Sequence, residues 1–297
     1  NQLLSWDHVL DKMLTLRPSD GQMYAVRARV HMGVHQWDKG FAAFADAIKL
    51  RPDDIDLRLE RGGYYAQMGR WKEAAADFDR VMAERPFGEE WYQDACLHVL
   101  SGDADGWRKL CGQAAERYGK TTVAADAYTA GRILALVPGA GVDPALAVRL
   151  EERAVASQAT SAYYLHHLGL AHYRAGHFDA AVHWHRESLK TAGYAATLNG
   201  QNLDPGDLPA NAPTGANAAP LTLLGLALAY HGLKQPDEAR RWLDKANAWL
   251  KQANADQPKE EAEFQPPSLV LSDWLEFQVL RREAETALKE AAPGPAK

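Results

Sequence analysis

The sequence predicts an all-α fold: a right-handed α-solenoid of about six helix pairs, with a leftover helix at the N-terminus and a capping helix at the C-terminus. Three observations predict it. Pro18, Pro52 and Pro86 stand 34 residues apart, a period proper to stacked helix-pair repeats. Other residues fall in step with that frame: Gly40 then Ala74 in a small slot, Phe44 then Phe78 in an aromatic slot, Trp37 then Trp71 at the start of the second helix. Helical periodicity dominates the rest, with no convincing strand. Small residues let the helices of a pair approach closely, aromatics fill the gaps between pairs, and a proline ends the second helix because it cannot sit in a helix interior.

Taken in order, a helix over 2–16 carries Trp6, Leu10 and Met13 and ends at Pro18, matching the second half of a repeat. Because the chain opens on Asn1 in mid-repeat, the expectation is a fragment or a processed product. Repeats follow at 21–54, 55–88, 89–120, 121–158, 161–194 and 220–254, forming one domain over 1–291. The second is the most regular, with Gly62, Tyr65, Gly69, Trp71, Ala74, Phe78 and Pro86 all in their slots. Pro138, Gly139 and Gly141 widen the turn of the fourth. The fifth keeps Leu168, Gly169, Gly176, Phe178 and Ala181, with His185 in the aromatic slot. Residues 197–220, rich in Asn, Gly, Pro and Ala, bury too little apolar surface to offset ordering and read as a loop insertion. A helix over 268–291 offers Leu269, Leu275, Phe277 and Leu280 to cover the open end of the stack, and 292–297 is expected to be a disordered tail.

The chain resembles a tetratricopeptide array. More narrowly, the segments 69–78 (GRWKEAAADF), 103–119, 144–155, 168–182, 227–246 and 275–288 resemble the C-terminal repeat region of planctomycete-type multidomain proteins that carry serine/threonine kinase or WD-repeat domains. The resemblance implies an accessory or regulatory region and no chemistry of its own.

Composition bounds the function. The formal net charge of −6 argues against general nucleic-acid binding, and no stretch approaches the ~20 apolar residues of a membrane helix. A cytoplasmic location is expected. Cys96 and Cys111 read as small buried residues. No catalytic set is present: there is no GxSxG elbow, phosphate-binding loop or kinase motif. The acidic pairs Asp53–Asp54, Glu89–Glu90 and Glu151–Glu152 read as helix starts or solvated faces. Histidine crowds the fifth repeat (His166, His167, His172, His177, His183, His185), but the HExxH pattern is missing and only His166 faces the expected groove. The expectation is therefore no catalytic residue, no cofactor and no metal.

What remains is the concave groove, lined in tetratricopeptide superhelices by the first helix of each pair. Its inward slots nominate Arg29, Met32, Tyr163, His166, Leu170, Tyr173, Leu224, Leu228 and His231 as partner-binding residues, while Leu221, Leu224 and Leu228 equally suit packing against the insertion or the last helix. The slots that would hold Lys and Asn in a carboxylate-clamp array hold Ala25, Arg29, Leu59 and Gly63 instead. The leading reading is a non-enzymatic protein-interaction scaffold that takes a partner peptide or domain in this groove. The alternatives are a regulatory or substrate-docking segment of a serine/threonine kinase whose catalytic domain lies outside this chain, and a metal-dependent hydrolase using the histidine-rich repeat.

Overall fold

The computed structural model describes residues 2–82, 84, 87–194, 218–255, 257 and 264–290, apart from the side chains of 2–7, 193 and 194. Pro86, most of the expected insertion at 197–220 and the expected tail lie outside the described residues. All described regular structure is helical, with no strand among the described residues. The helices are α1 (Gln2–Leu16), α2 (Gly21–Gly33), α3 (Trp37–Leu50), α4 (Ile55–Gln67), α5 (Trp71–Met82), α6 (Glu89–Ser101), α7 (Ala104–Tyr118) and α8 (Ala124–Ala135). They continue with α9 (Pro144–Ser157), α10 (Ala162–Arg174), α11 (Phe178–Leu189, running on into a π-helical turn at Lys190–Tyr194), α12 (Ala218–Gly232), α13 (Pro236–Ala253) and α14 (Leu271–Glu290). The sequence reads as one array, whereas the contacts group the chain into two compact units: residues 1–66 with 73–86, and residues 67–72 with 87–297.

In the first unit the repeat slots have direct physical meaning. A Cβ on Gly40 of α3 would meet the Met32 sulfur at 2.8 Å, and one on Gly62 of α4 would meet the Phe78 ring of α5 at 3.0 Å. The small residues are thus close approaches between helices of a pair. Phe44 and Phe78 are fully buried, and Phe41 stacks on Tyr65 at 4.0 Å, so the aromatics fill the space between pairs. Asp20 caps α2 by accepting from the backbone N–H of Gln22 and Met23. Arg61 reaches from α4 to α5 and donates to both oxygens of Asp77, at 2.7 and 2.6 Å.

The second unit stacks four antiparallel pairs, α6/α7, α8/α9, α10/α11 and α12/α13. Asp103 caps α7. Asp143 caps α9, which starts on Pro144, and Ser161 caps α10. The tight turns within pairs need left-handed backbone, supplied by Gly102 and Gly176 but by the non-glycine Lys234 before α13. Cys96 and Cys111 are free and buried. Burial pushes the Cys111 thiol up to about 12, so it stays protonated and inert.

Two helices break the amphipathic pattern. Every residue of α12 from Ala218 to Tyr230 is buried. In α14, every residue from Ser272 to Leu280 is buried. A helix apolar on all sides needs neighbours on all sides. α14 accordingly packs on α12 and α13 of the last pair, and also on α6, the first helix of this unit. The sequence expectation placed this helix over the open end of the stack. It packs on that last pair and also reaches back to α6, with its polar residues Ser272, Asp273, Glu276 and Gln278 buried along with its apolar ones. Among the described residues, no helix is long and apolar enough to cross a membrane.

Candidate functional site: a groove closed around α14

The first helices of the pairs in the second unit, α6, α8, α10 and α12, present one face, and α14 lies against it. Its acids are the contact points. Tyr163 of α10 donates its hydroxyl to Asp273 at 2.6 Å. One turn on, Glu276 meets His166 Nε2 at 2.9 Å through Oε1 and His167 Nε2 at 3.0 Å through Oε2. Two turns further, Glu283 accepts from both terminal nitrogens of Arg174, whose guanidinium also donates to the carbonyls of Ala135 and Leu136. From the other side Arg282 donates to the Leu100 carbonyl at 3.1 Å. Asp273, Glu276 and Glu283 fall at helical spacing on one face, so a single helix orientation satisfies all three.

Around Glu276 lies a buried polar cluster. Arg132 of α8 is 3% exposed and sits with its guanidinium 3.6 Å from the Tyr92 ring centroid. It holds Glu89 at 3.0 Å and approaches Glu276 at 3.7 Å. Burial by itself would raise the Glu276 carboxyl, but the two imidazoles beside it hold it well below the usual carboxylate range. Burial pushes His167 down to about 4. His185 is fully buried between Gly169 and Gly225, where a Cβ would come within 2.8 and 2.4 Å of its ring. Neither of its ring nitrogens has a hydrogen-bond partner, nor does either oxygen of the buried Glu151, whose carboxyl burial pushes well up.

Asp273 gives this site a measurable pH signature. Burial raises its carboxyl to about 7, against the opposing Tyr163 hydrogen bond. Its unfolded value is near the ordinary ~3.9. The folded state thus holds an extra proton between about pH 4 and 7, and this group's contribution to stability falls as pH rises through that window. Asp273→Asn keeps an acceptor for Tyr163 and removes the buried charge. It is expected to raise stability at pH 8 by about 2–4 kcal/mol, with the gain vanishing near pH 4. Urea midpoints at the two pH values check this.

The expected groove residues take different positions. In the first unit, Arg29 is exposed and paired with Glu60 at 2.8 and 2.7 Å, while Met32 is 2% exposed and belongs to the packing against Gly40. In the second unit, Tyr163 and His166 bind α14, and Leu170, Leu224 and Leu228 are fully buried, so these five do not form a free surface. Tyr173 and His231 remain partly accessible and line an open pocket of about 600 Å³ with Phe178, Gly232, Lys234 and Pro236. Two sequence expectations are corrected. His167 also reaches the groove, because α14 lies where adjacent residues of α10 can both touch it. Glu151, expected on a solvated face, is fully buried against Gly131. Arg132, Asp273 and Glu276 were not nominated at all. The one available signal was a pair of acids spaced i, i+3 inside an otherwise apolar run.

Family models described as tetratricopeptide repeat match residues 28–95 and 161–192. No curated protein matches the chain. Among solved structures, the chain is similar to YrrB, described as a TPR protein with an unusual peptide-binding site, at 15% identity and TM-score 0.45, over 61% of this chain and 91% of that one. It is also similar to a chain of the APC/C Cut9–Hcn1 hetero-tetramer, at 13% identity and TM-score 0.45, over 91% of this chain and 46% of that one. Yeast Tom70 matches at 15% identity and TM-score 0.36, over 97% of this chain and 59% of that one. The two family-model matches carry the repeats over residues 28–95 and 161–192, and not the narrower kinase-linked or WD-repeat likeness. The helix pairs, their close-approach glycines and the two family matches agree: this all-α chain carries tetratricopeptide repeats within residues 28–95 and 161–192.

Proposed function

We propose that the chain is a non-enzymatic protein-interaction scaffold whose second unit grips a helix, with α14 as the resident occupant that a helical segment of a partner protein replaces. The observation that carries this reading is the burial of α14 from Ser272 to Leu280 against first helices of the repeats. A groove that closes on a helix in cis has the shape and polar contacts to take one in trans. The partner helix would present acids at the spacing of Asp273, Glu276 and Glu283 on an apolar background, to meet Tyr163, the two histidines and Arg174. The polar groups around Glu276 are sealed from solvent, which supports a binding role over a catalytic one. Tyr173 and His231 offer the partner a further accessible contact. The kinase-linked alternative sets the same groove beside a catalytic domain encoded elsewhere in the gene, and sequencing the flanking gene tests it.

A protease site introduced within residues 258–263 tests the exchange. Cleavage leaves residues 264–297 held without a covalent link. The nicked protein is expected to take up a labelled synthetic peptide of residues 264–297, and the intact chain to exclude it, because a tethered helix competes at high effective concentration. A nicked protein that keeps its helical circular dichroism yet takes up no labelled peptide sinks the reading.

A further inference from the structure

We propose that His166, His167 and Glu276 form a binding site for a divalent transition-metal ion of the zinc class, which pins α14 to α10. One ligand atom from each of the three residues lies within 4.8 Å of the others, and all three side chains are fully buried.

The placement of these three groups and of the acceptors behind them carries the proposal. His167 Nδ1 lies 2.8 Å from the Tyr163 carbonyl oxygen. A carbonyl oxygen only accepts, so this nitrogen holds the proton. The Tyr128 hydroxyl oxygen, 3.2 Å from the same nitrogen, shares that donor. His166 Nδ1 faces Thr222 Oγ1 at 3.4 Å, and Thr222 directs its own hydroxyl proton to the Ala218 carbonyl at 2.7 Å. Thr222 Oγ1, which also lies 3.1 Å from Ser188 Oγ, can accept from His166 Nδ1. A neutral imidazole carries one N–H. With that proton on Nδ1, each Nε2 has a lone pair to offer a cation, at 2.9 and 3.0 Å from the two oxygens of the Glu276 carboxylate.

The two imidazoles stand with ring centroids 4.8 Å apart, beside the buried Arg132. A single metal ion would accept a lone pair from both histidines at once. Nδ1–H groups committed to a carbonyl and a hydroxyl are also the outer hydrogen bonds that orient metal-binding histidines. Two imidazole nitrogens and a carboxylate oxygen suit zinc and its neighbours in the first transition row.

The surrounding charges bear on the same point. Arg132 opposes a cation, but its charge is already offset by Glu89. His185, its ring centroid 5.1 Å from that of His166, stands beside the site with both ring nitrogens unpartnered. With all three ligands sealed from solvent, the ion would be structural. This stands apart from the exchange reading, since a metal can pin a resident helix whether or not a partner replaces it.

The test uses the full chain, stripped with chelator and dialysed against Zn²⁺ or Co²⁺. One ion per chain by elemental analysis is expected, with a raised melting temperature and visible d–d absorption in the Co²⁺ form. Glu276→Gln and His167→Gln are each expected to weaken binding about 100-fold or more. The partly exposed His172 and His177, whose Nδ1 atoms lie 3.3 Å apart, are the obvious adventitious site. The double variant His172→Ala/His177→Ala is therefore expected to bind as the wild type does. Loss of binding in that double variant overturns the proposal, as does wild-type affinity in folded Glu276→Gln. Should the Glu276 and His167 variants fail to fold, the wild-type chain decides alone: less than about 0.1 ion per chain, or Co²⁺ bound without d–d bands, overturns it.

Discussion

Arg132→Met is expected to destabilise the protein by about 3–5 kcal/mol at pH 7.5, the range for removing one partner from a buried charge cluster. The methionine fills much of the stem volume, so the loss is electrostatic rather than a cavity effect. Glu89 and Glu276 lose their common cation, and the Tyr92 ring loses the guanidinium resting on its face. The deficit carries a pH signature. Arg132 is one of the groups that holds the His167 imidazole down. Without it, His167 takes up a proton more readily and itself compensates Glu276. The gap between variant and wild type is therefore expected to narrow between pH 7.5 and 5.5. Paired urea titrations at the two pH values measure it, and a gap that stays constant would show that Arg132 acts by packing alone.

Trp274→Ala is the second large effect, at about 3–5 kcal/mol. Trp274 is fully buried at the start of α14, and its ring lies parallel to that of Phe277 with centroids 6.4 Å apart. Phe277 in turn meets Trp249 of α13 at 5.8 Å. The truncation empties the widest part of the groove filling. The neighbouring helices cannot collapse into the gap while Glu276 and Asp273 keep α14 at its present distance, so the cost belongs at the upper end of that range. Val270→Ala, at a site 58% exposed just before the helix, is the control and is expected to change stability by under about 0.5 kcal/mol. The shift in denaturant midpoint at constant slope separates the two.

The helix pairs were legible because their determinants are local. A proline stop, a small residue at a crossing and an aromatic beside it act within one repeat, and Gly40, Gly62, Phe44 and Phe78 do what their slots imply. The candidate site was not legible, because its determinants are distant. His166 and Glu276 are 110 residues apart, and no spacing rule links two helices so separated in sequence. Helical periodicity places a residue on a face of its own helix and says nothing of what lies opposite. That is why Leu224 and Leu228 fit either a groove for a partner or packing against the last helix, and the structure has α12 packed on α14. Glu151 misled for a related reason: an acid beside a second acid suggests solvent, and only the Gly131 contact shows the space into which it folds.

The position of α14 in the chain also sets an order of events during synthesis. Every helix of the groove is made before the helix that closes it. Until α14 emerges, the apolar helix α12 lacks its final cover, and Arg132 lacks Glu276 as a counter-charge. The nascent protein therefore passes through a stage with an open apolar cleft lined by a stranded cation, the kind of transient surface that aggregates or recruits chaperones. Slowing translation before the codon for Leu271 would prolong that vulnerable interval.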